Sequence, residues 1–497
     1  MSAHAAPVDL LVIGGGINGA GIARDAAGRG LSVALCEKDD LAEGTSSRSG
    51  KLIHGGLRYL EHWEFRLVRE ALIEREVLLR AAPHVVWPMR FVLPHSPAQR
   101  PAWMIRLGLL LYDHLGGRRL LPGTRTLDLG TAPEGAAIEP AFQRAFEYSD
   151  CWVDDARLVV LNAIDARERG ARILPRTEFR SARREDGLWC AEVEDRATGR
   201  REQIRARTLV NAAGPWVKQM VARAGLTSAR NIRLVKGSHI VVPKFWDGPQ
   251  AYLLQNHDRR VIFVNPYEDR LALIGTTDIP FAGEVGDAAI DAEETRYLLS
   301  AVNRYFRRKL VSEEIVHAFS GVRPLYDDAS ENPSAVTRDY VLDVESAGGP
   351  PLLSIFGGKI TTYRKLAEHA LAALAPHLPR VGPAWTSGAP LPGGDMEAFE
   401  PFLAALGARH PWLPPALARQ YARRYGTRAE RLLDGSRAVG DLGRHFGALL
   451  HEREARYLMD EEWAAAPDDI LDRRTKHGLH LDPAARRGFA EWMAGGR

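Results

Sequence analysis

Three glycines at fixed spacing, Gly14, Gly16 and Gly19, are followed eighteen residues after the last by an acid, Glu37. That pattern can hold a dinucleotide. Gly14 permits a sharp turn, Gly16 lets the backbone approach a pyrophosphate, and Gly19 lets a helix pack closely on the preceding strand. A carboxylate at position 37 can accept hydrogen bonds from ribose hydroxyls and disfavours a 2′-phosphate, hence NADP. A second chemically dense stretch, residues 44–59, interleaves hydroxyls and glycines with cations. Thr45, Ser46 and Ser47 can hydrogen-bond phosphate or ring oxygens, and Gly55 and Gly56 leave room for a flat ring against the backbone. A solvated serine-rich loop explains the same composition equally well.

Such residues need elements to position them. Residues 9–13 read as a buried parallel strand, 14–19 as a tight turn, 20–30 as a helix and 31–37 as the next strand. Residues 208–216 form another strand ending in a glycine turn, and 352–359 a third, followed by a helix over 360–375. An NAD domain is usually one continuous stretch. Nucleotide-type elements spread this widely instead suit FAD, a long ligand that needs contacts along its length. Cofactor contacts are therefore expected at Gly14, Gly16, Asn18, Gly19, Glu37 and Lys38, then at Thr45, Ser46, Ser47, Lys51, Leu52, His54 and Gly55. Phe179 is a further expected contact, and the later segments add Ala213, Gly214, Gly357, Gly358, Lys359, Ile360 and Thr361. The helix N-terminus at Ile360, aided by Lys359, is suited to stabilising negative charge on a reduced ring.

Composition narrows the classes further. The chain's 497 residues exceed one compact core and imply two or three units, at least one interrupted in sequence. A formal charge of +3 over that length does not imply nucleic-acid binding. Cys36, Cys151 and Cys190 are widely spaced and form no C-x-x-C pair, so neither a disulfide framework nor a metal site is indicated, and a reducing cytosolic setting fits. The first nine residues lack a signal peptide's basic start and apolar run, and no window offers the roughly 20 apolar residues that span a bilayer. Any membrane contact is thus expected to be peripheral.

Seven blocks carry a more specific signal: KLIHGGLRYLEH, FEYSDCWVDDARLV, NAAGPWVKQ, KGSHIVVP, IGTTD, SGVRPLYDD and FGGKITTYRKLAEHAL. From about Val8 onward the chain resembles the aerobic, FAD-dependent glycerol-3-phosphate dehydrogenase family. One departure is Gly50, where that family's loop commonly has a serine; the missing hydroxyl bears on one cofactor hydrogen bond and not on the fold. The resemblance implies oxidation of sn-glycerol 3-phosphate to dihydroxyacetone phosphate, with electrons passing through FAD to a membrane quinone. In the matching blocks, Arg58 and Arg323 supply planar forks for a phosphate dianion, Lys359 adds a point charge and Tyr59 a supporting donor. Removing the C2 hydroxyl proton needs a base. His54 and His239 both qualify, with His54 slightly favoured.

The expected architecture is α/β: an FAD-binding Rossmann-like domain of the glutathione-reductase or D-amino-acid-oxidase type, with an inserted antiparallel-sheet substrate domain and a C-terminal helical domain. Residues 1–85, 145–225 and 320–382 are assigned to the FAD domain, 86–144 and 226–319 to the substrate cap, 383–394 to a linker and 395–497 to the helical domain. Residues 100–119 combine an apolar run with Trp, Tyr and flanking Arg, the composition of either an interfacial or a buried helix. A quinone acceptor favours the former. A homodimer on the cytoplasmic face of the inner membrane, without nucleic acid, is expected. Two other readings share these residues: a glycerol-3-phosphate or amine oxidase that reduces oxygen, and a non-catalytic FAD-binding protein associated with nucleic acid.

Overall fold

Two large sheets and a helical unit with a small two-stranded ribbon organise the computed structural model, which describes residues 6–495 except 98, 118–119, 257, 259 and 328–338, and except the side chains of residues 58 and 62. Four consecutive buried apolar residues, Leu10 to Ile13, suit a strand covered on both faces. Val8–Ile13 accordingly lies inside an eight-stranded sheet, parallel to Val33–Cys36 on one side and Arg201–Asn211 on the other, with Leu10 opposite both Val33 and Thr208. Arg172–Leu174 and Leu352–Gly357 extend the parallel core, and Tyr340–Glu345 pairs antiparallel at one edge. Helix Ile17–Gly28 packs between Asp155–Glu168 and Tyr363–Leu374. The carboxyl ends of the parallel strands deliver Gly14, Glu37, Ala213 and Gly358 to one rim, where ligands of such sheets bind.

A ten-stranded sheet forms the cap. It is antiparallel except where Ala251–Gln255 runs parallel to Val86–His95. Its limits differ from the expected domain boundaries. Arg144–Val153 pairs along its whole length with Val86–His95, and His317–Tyr326 with Ile232–Pro243, so both strands belong to the cap. Backbone pairing carries the cap past 144/145 and 319/320, to Val153 and Tyr326. The pair Leu52–Ile53, inside the first expected FAD segment, also joins this sheet through Trp152 and Cys151.

Residues 383–394, read as a linker, are a packed strap. The Trp385 ring fills the space beside Gly28 and lies between the guanidiniums of Arg24 and Arg169, at 4.9 and 3.9 Å, while Leu391 is buried in the core beneath the first sheet. Beyond it, helices Phe399–Arg409, Pro415–Tyr425, Glu452–Glu462 and Pro483–Gly495 enclose a separate core around Tyr421, Leu458 and Phe489. A single π-helical turn, Asp469–Arg474, faces the first domain.

Candidate active site

The rim of the first sheet and the inner face of the cap enclose a cavity of about 800 Å³. Its floor is the glycine turn. Gly14 has φ +111°, and a Cβ at Gly19 would lie 1.9 Å from the Gly14 carbonyl oxygen, so the helix can start there only without a side chain. Glu37 accepts the Gly15 amide at 2.6 Å and the Asp39 amide at 2.9 Å. Burial pushes its carboxyl pKa up against the pull of those two amides. Two carboxylate oxygens retain acceptor capacity beyond these bonds. Ser46 Oγ accepts the Ile17 amide at 3.0 Å, and Lys38 Nζ lies 3.9 Å from the centre of the Trp216 ring.

The expected cofactor residues divide into those on the wall and those behind it. Gly14, Gly16, Asn18, Glu37, Lys38, Thr45, Ser46, Leu52, His54 and Phe179 line the cavity, as do Ala213, Gly214, Gly357, Gly358, Lys359, Ile360 and Thr361. Gly19, Ser47, Lys51 and Gly55 are not in that lining. Lys51 Nζ is committed to a buried pair with Asp155 at 2.8 Å and to the Ser47 carbonyl at 3.1 Å. The Gly55 amide donates to Tyr112 Oη at 2.7 Å, and its neighbour Gly56 reaches the cavity instead. Thr45, although on the wall, spends its hydroxyl proton on the Val322 carbonyl at 2.6 Å and so ties the loop to the cap.

His54, Tyr59, His239, Arg323 and Lys359 all line this cavity. The His54 amide bonds Thr361 Oγ1 at 3.3 Å, and the Lys359 ammonium lies 3.9 Å from the Tyr59 ring centre. On the cap, Arg323 Nη2 donates to the Thr277 carbonyl at 2.8 Å and lies 3.3 Å from Asp278 Oδ1. Phe263 joins the two sides: its ring meets His54 edge-on at 6.1 Å, and it pairs across the sheet with Gly275, which pairs in turn with His239. His239 is 4 % exposed and stacked on Phe319. Burial, with the Arg323 and Lys51 cations nearby, pulls its pKa down to about 3. Its Nδ1 has no hydrogen-bond partner among the described residues. An added Cβ on Gly50 would lie 3.6 Å from His239 Nε2, so the position lacking the family's hydroxyl faces this imidazole. Arg58 sits on the turn Leu57–His62, and its side chain is outside the described residues.

Several lining residues went unnoticed in the sequence. Phe263 and Asn265 project from one face of Val261–Tyr267, and their two-residue spacing was the available signal. Trp216 follows the glycine turn at 214 directly.

A family model for FAD-dependent oxidoreductases matches residues 9–364, and one for the C-terminal domain of alpha-glycerophosphate oxidase matches residues 384–492. The chain is 54% identical to an aerobic glycerol-3-phosphate dehydrogenase from Escherichia coli K12, over 98% of its own length and 97% of that protein. The chain belongs to the FAD-dependent glycerol-3-phosphate dehydrogenase family. It is also 62% identical, over 98% of its length and 97% of the relative, to a D-erythritol 1-phosphate dehydrogenase from Brucella abortus. The crystal structure of a glycerol-3-phosphate dehydrogenase from Bacillus halodurans complexed with FAD superposes with a TM-score of 0.78 at 28% identity, covering 98% of this chain and 91% of that one.

FAD is thus the cofactor of this dehydrogenase-family member, and the residues present fit it. The cavity has the size of a cofactor site. The helix N-terminus at Ile17 presents its amides to the rim, and the buried Asn18 Oδ1, without a partner among the described residues, offers an acceptor beside Gly358.

Proposed function

We propose that the protein oxidises the C2 hydroxyl of sn-glycerol 3-phosphate to the ketone. The observation that carries this reading is one cavity lined together by Arg323, Lys359, His54 and Phe263 and by the residues of the FAD cradle. Bound FAD supplies the hydride acceptor. Arg323 and Lys359 provide the cationic pair for a phosphate dianion, with Tyr59 holding Lys359 beneath its ammonium. Arg58, next to Tyr59 in sequence, is retained in this clamp as a proposal.

His54 is the better base. A base must keep affinity for the proton it takes, and the fall of His239 to about 3 leaves it neutral and weakly basic at any working pH. His239 then serves as a neutral wall beside the substrate.

A second reading of the substrate is supported by the similarity to the Brucella abortus enzyme: a four-carbon polyol phosphate oxidised by the same groups. Anaerobic mixing with glycerol 3-phosphate or erythritol 1-phosphate, followed by flavin absorbance, tests both. Bleaching by glycerol 3-phosphate with the larger kcat/KM supports the first reading; a larger value for the four-carbon substrate replaces it, and no bleaching by either overturns both.

A membrane quinone is the proposed acceptor. Helix Ala102–Leu115 buries only Leu109 and Tyr112, and Trp103, Leu107 and Leu110 are 65, 49 and 54 % exposed, an apolar face of the kind that enters a lipid interface. Met104, Ile105 and Gly108 of the same helix line the cavity, which supports acceptor entry beside it. Among the described residues no helix is long and apolar enough to cross a membrane. Reoxidation of the reduced enzyme by a soluble quinone faster than by oxygen is expected; the reverse order would make it an oxidase.

A further inference from the structure

The loop that reaches the cofactor carries two non-glycine residues in the left-handed region, Ala42 at φ +64° and Lys51 at φ +57°. Residues with a Cβ hold that shape only where their surroundings enforce it. At the first, the Ala42 amide donates to the Gly15 carbonyl at 3.1 Å, which joins the turn at 40–43 to the glycine cradle. At the second, Asp155 accepts the Ser49 hydroxyl at 2.7 Å and the Lys51 ammonium at 2.8 Å.

Both points are braced from behind by the C-terminal unit. Arg474, fully buried, donates to Asp40 through both ends of its fork, at 2.6 and 2.8 Å, and Arg473 donates to Asp40 at 2.8 Å and pairs with Glu43 at 2.7 Å. Lys476, also buried, donates to Asp154, the residue that caps the helix on which Asp155 sits. Three cations within four residues, on one π-helical turn and its exit, therefore hold Asp40, Glu43 and Asp154, while Glu43 to Ser46 and Arg48 to Gly50 of the loop line the FAD cavity. π-Turns of this kind recur at functional sites because they re-aim side chains that a regular helix would spread around its axis.

We infer that the C-terminal unit acts as a positioning device for FAD: Arg474 and Lys476 hold the 40–51 loop in the shape that retains the cofactor. They touch neither cofactor nor substrate. Their effect runs through Asp40 to the Gly15 turn and through Asp154 and Asp155 to Ser49 and Lys51. A simple domain interface would stabilise the fold without changing how tightly the folded protein keeps FAD. A positioning role changes retention itself.

FAD release from the holoprotein on dilution, followed by flavin fluorescence, separates the two when read beside thermal unfolding by circular dichroism. Arg474→Met and Lys476→Met each remove one member of a buried charge pair and are expected to speed release by ~10-fold or more. Arg428→Met is the control. Its side chain joins the same two units through Glu168, at the far end of the helix that Asp154 caps, and it should release FAD at the wild-type rate while losing thermal stability. Arg474→Lys keeps the charge without the fork and should release FAD at an intermediate rate; it serves where Arg474→Met does not fold. Wild-type release in Arg474→Lys or Lys476→Met, or equal acceleration in Arg428→Met, overturns the proposal.

Discussion

The two sheets meet the same cavity with different chemistry. The parallel sheet offers mainly backbone, with the turns at Gly14, Gly214 and Gly358 and the amides of one helix beside the side chains of Glu37 and Lys359, whereas the cap offers side chains, among them Arg323, His239, Phe263 and Asn265. A backbone surface suits a common cofactor, and at Gly14 and Gly19 it leaves no room for a side chain. A side-chain surface can be altered one residue at a time without losing the fold. Damage to the first sheet should therefore appear as lost FAD, and damage to the cap as altered kinetics of an enzyme that still carries it.

The largest expected effect lies on the backbone side. Gly19→Ala forces a Cβ to within 1.9 Å of the Gly14 carbonyl and should give protein purified without flavin, measured as the ratio of visible to ultraviolet absorbance. Normal flavin content would remove the contrast between the two sheets. Next, His54→Ala should slow anaerobic flavin reduction by at least ~10²-fold at unchanged flavin content, the usual loss for a missing general base, while His239→Phe should slow it far less. If the second variant is the slower, the assignment of the base reverses. Arg323→Ala should raise KM for the phosphorylated substrate by about 10- to 100-fold through one lost charge-assisted contact, with FAD retained; unchanged KM excludes it from the phosphate site.

A smaller effect concerns pH. His239 and the equally buried His84 sit near 3 in the folded chain and His477 near 4, against an ordinary 6.5. Between those values the unfolded chain binds more protons than the folded one, so stability is fully present above pH ~6.5 and falls as pH drops toward 3. Thermal unfolding from pH 7 to 4 should show this fall, and His239→Phe, which keeps the stack on Phe319, should make it shallower. Smallest of all, the paired change Trp103→Ser and Leu110→Ser should weaken liposome sedimentation without altering flavin reduction. Unchanged sedimentation would detach the exposed helix from any membrane role.

What could be read in advance follows the same division. The cradle was legible because Gly14, Gly16, Gly19 and Glu37 lie within one short stretch and each residue type answers a local backbone demand. The cap limits were not. Arg144–Val153 and His317–Tyr326 acquire their membership through hydrogen bonds to strands far away in sequence, which composition does not encode. Lys51 shows the same limit at one residue. A lysine beside a serine-rich loop has the type expected near phosphate, yet a buried carboxylate more than a hundred positions on claims it. The two-residue spacing of Phe263 and Asn265 marks one face of a strand, as in any core strand, and does not tell a cavity wall from a filled interior. The packed strap at 383–394 escaped notice because its Pro and Gly content masks Trp385 and Leu391, which fasten it.

Asp40 and Arg474 meet across 434 positions of sequence, and this has a consequence for synthesis. At the ~5–20 residues per second of a translating ribosome, the acid waits on the order of half a minute or more for its guanidinium. The nucleotide cradle emerges well before the bracket behind it. A nascent chain can thus form the first strands of the cradle while the loop over the cavity still lacks its partner, so on the positioning role inferred above, tight closure around the flavin waits for the bracket to be made.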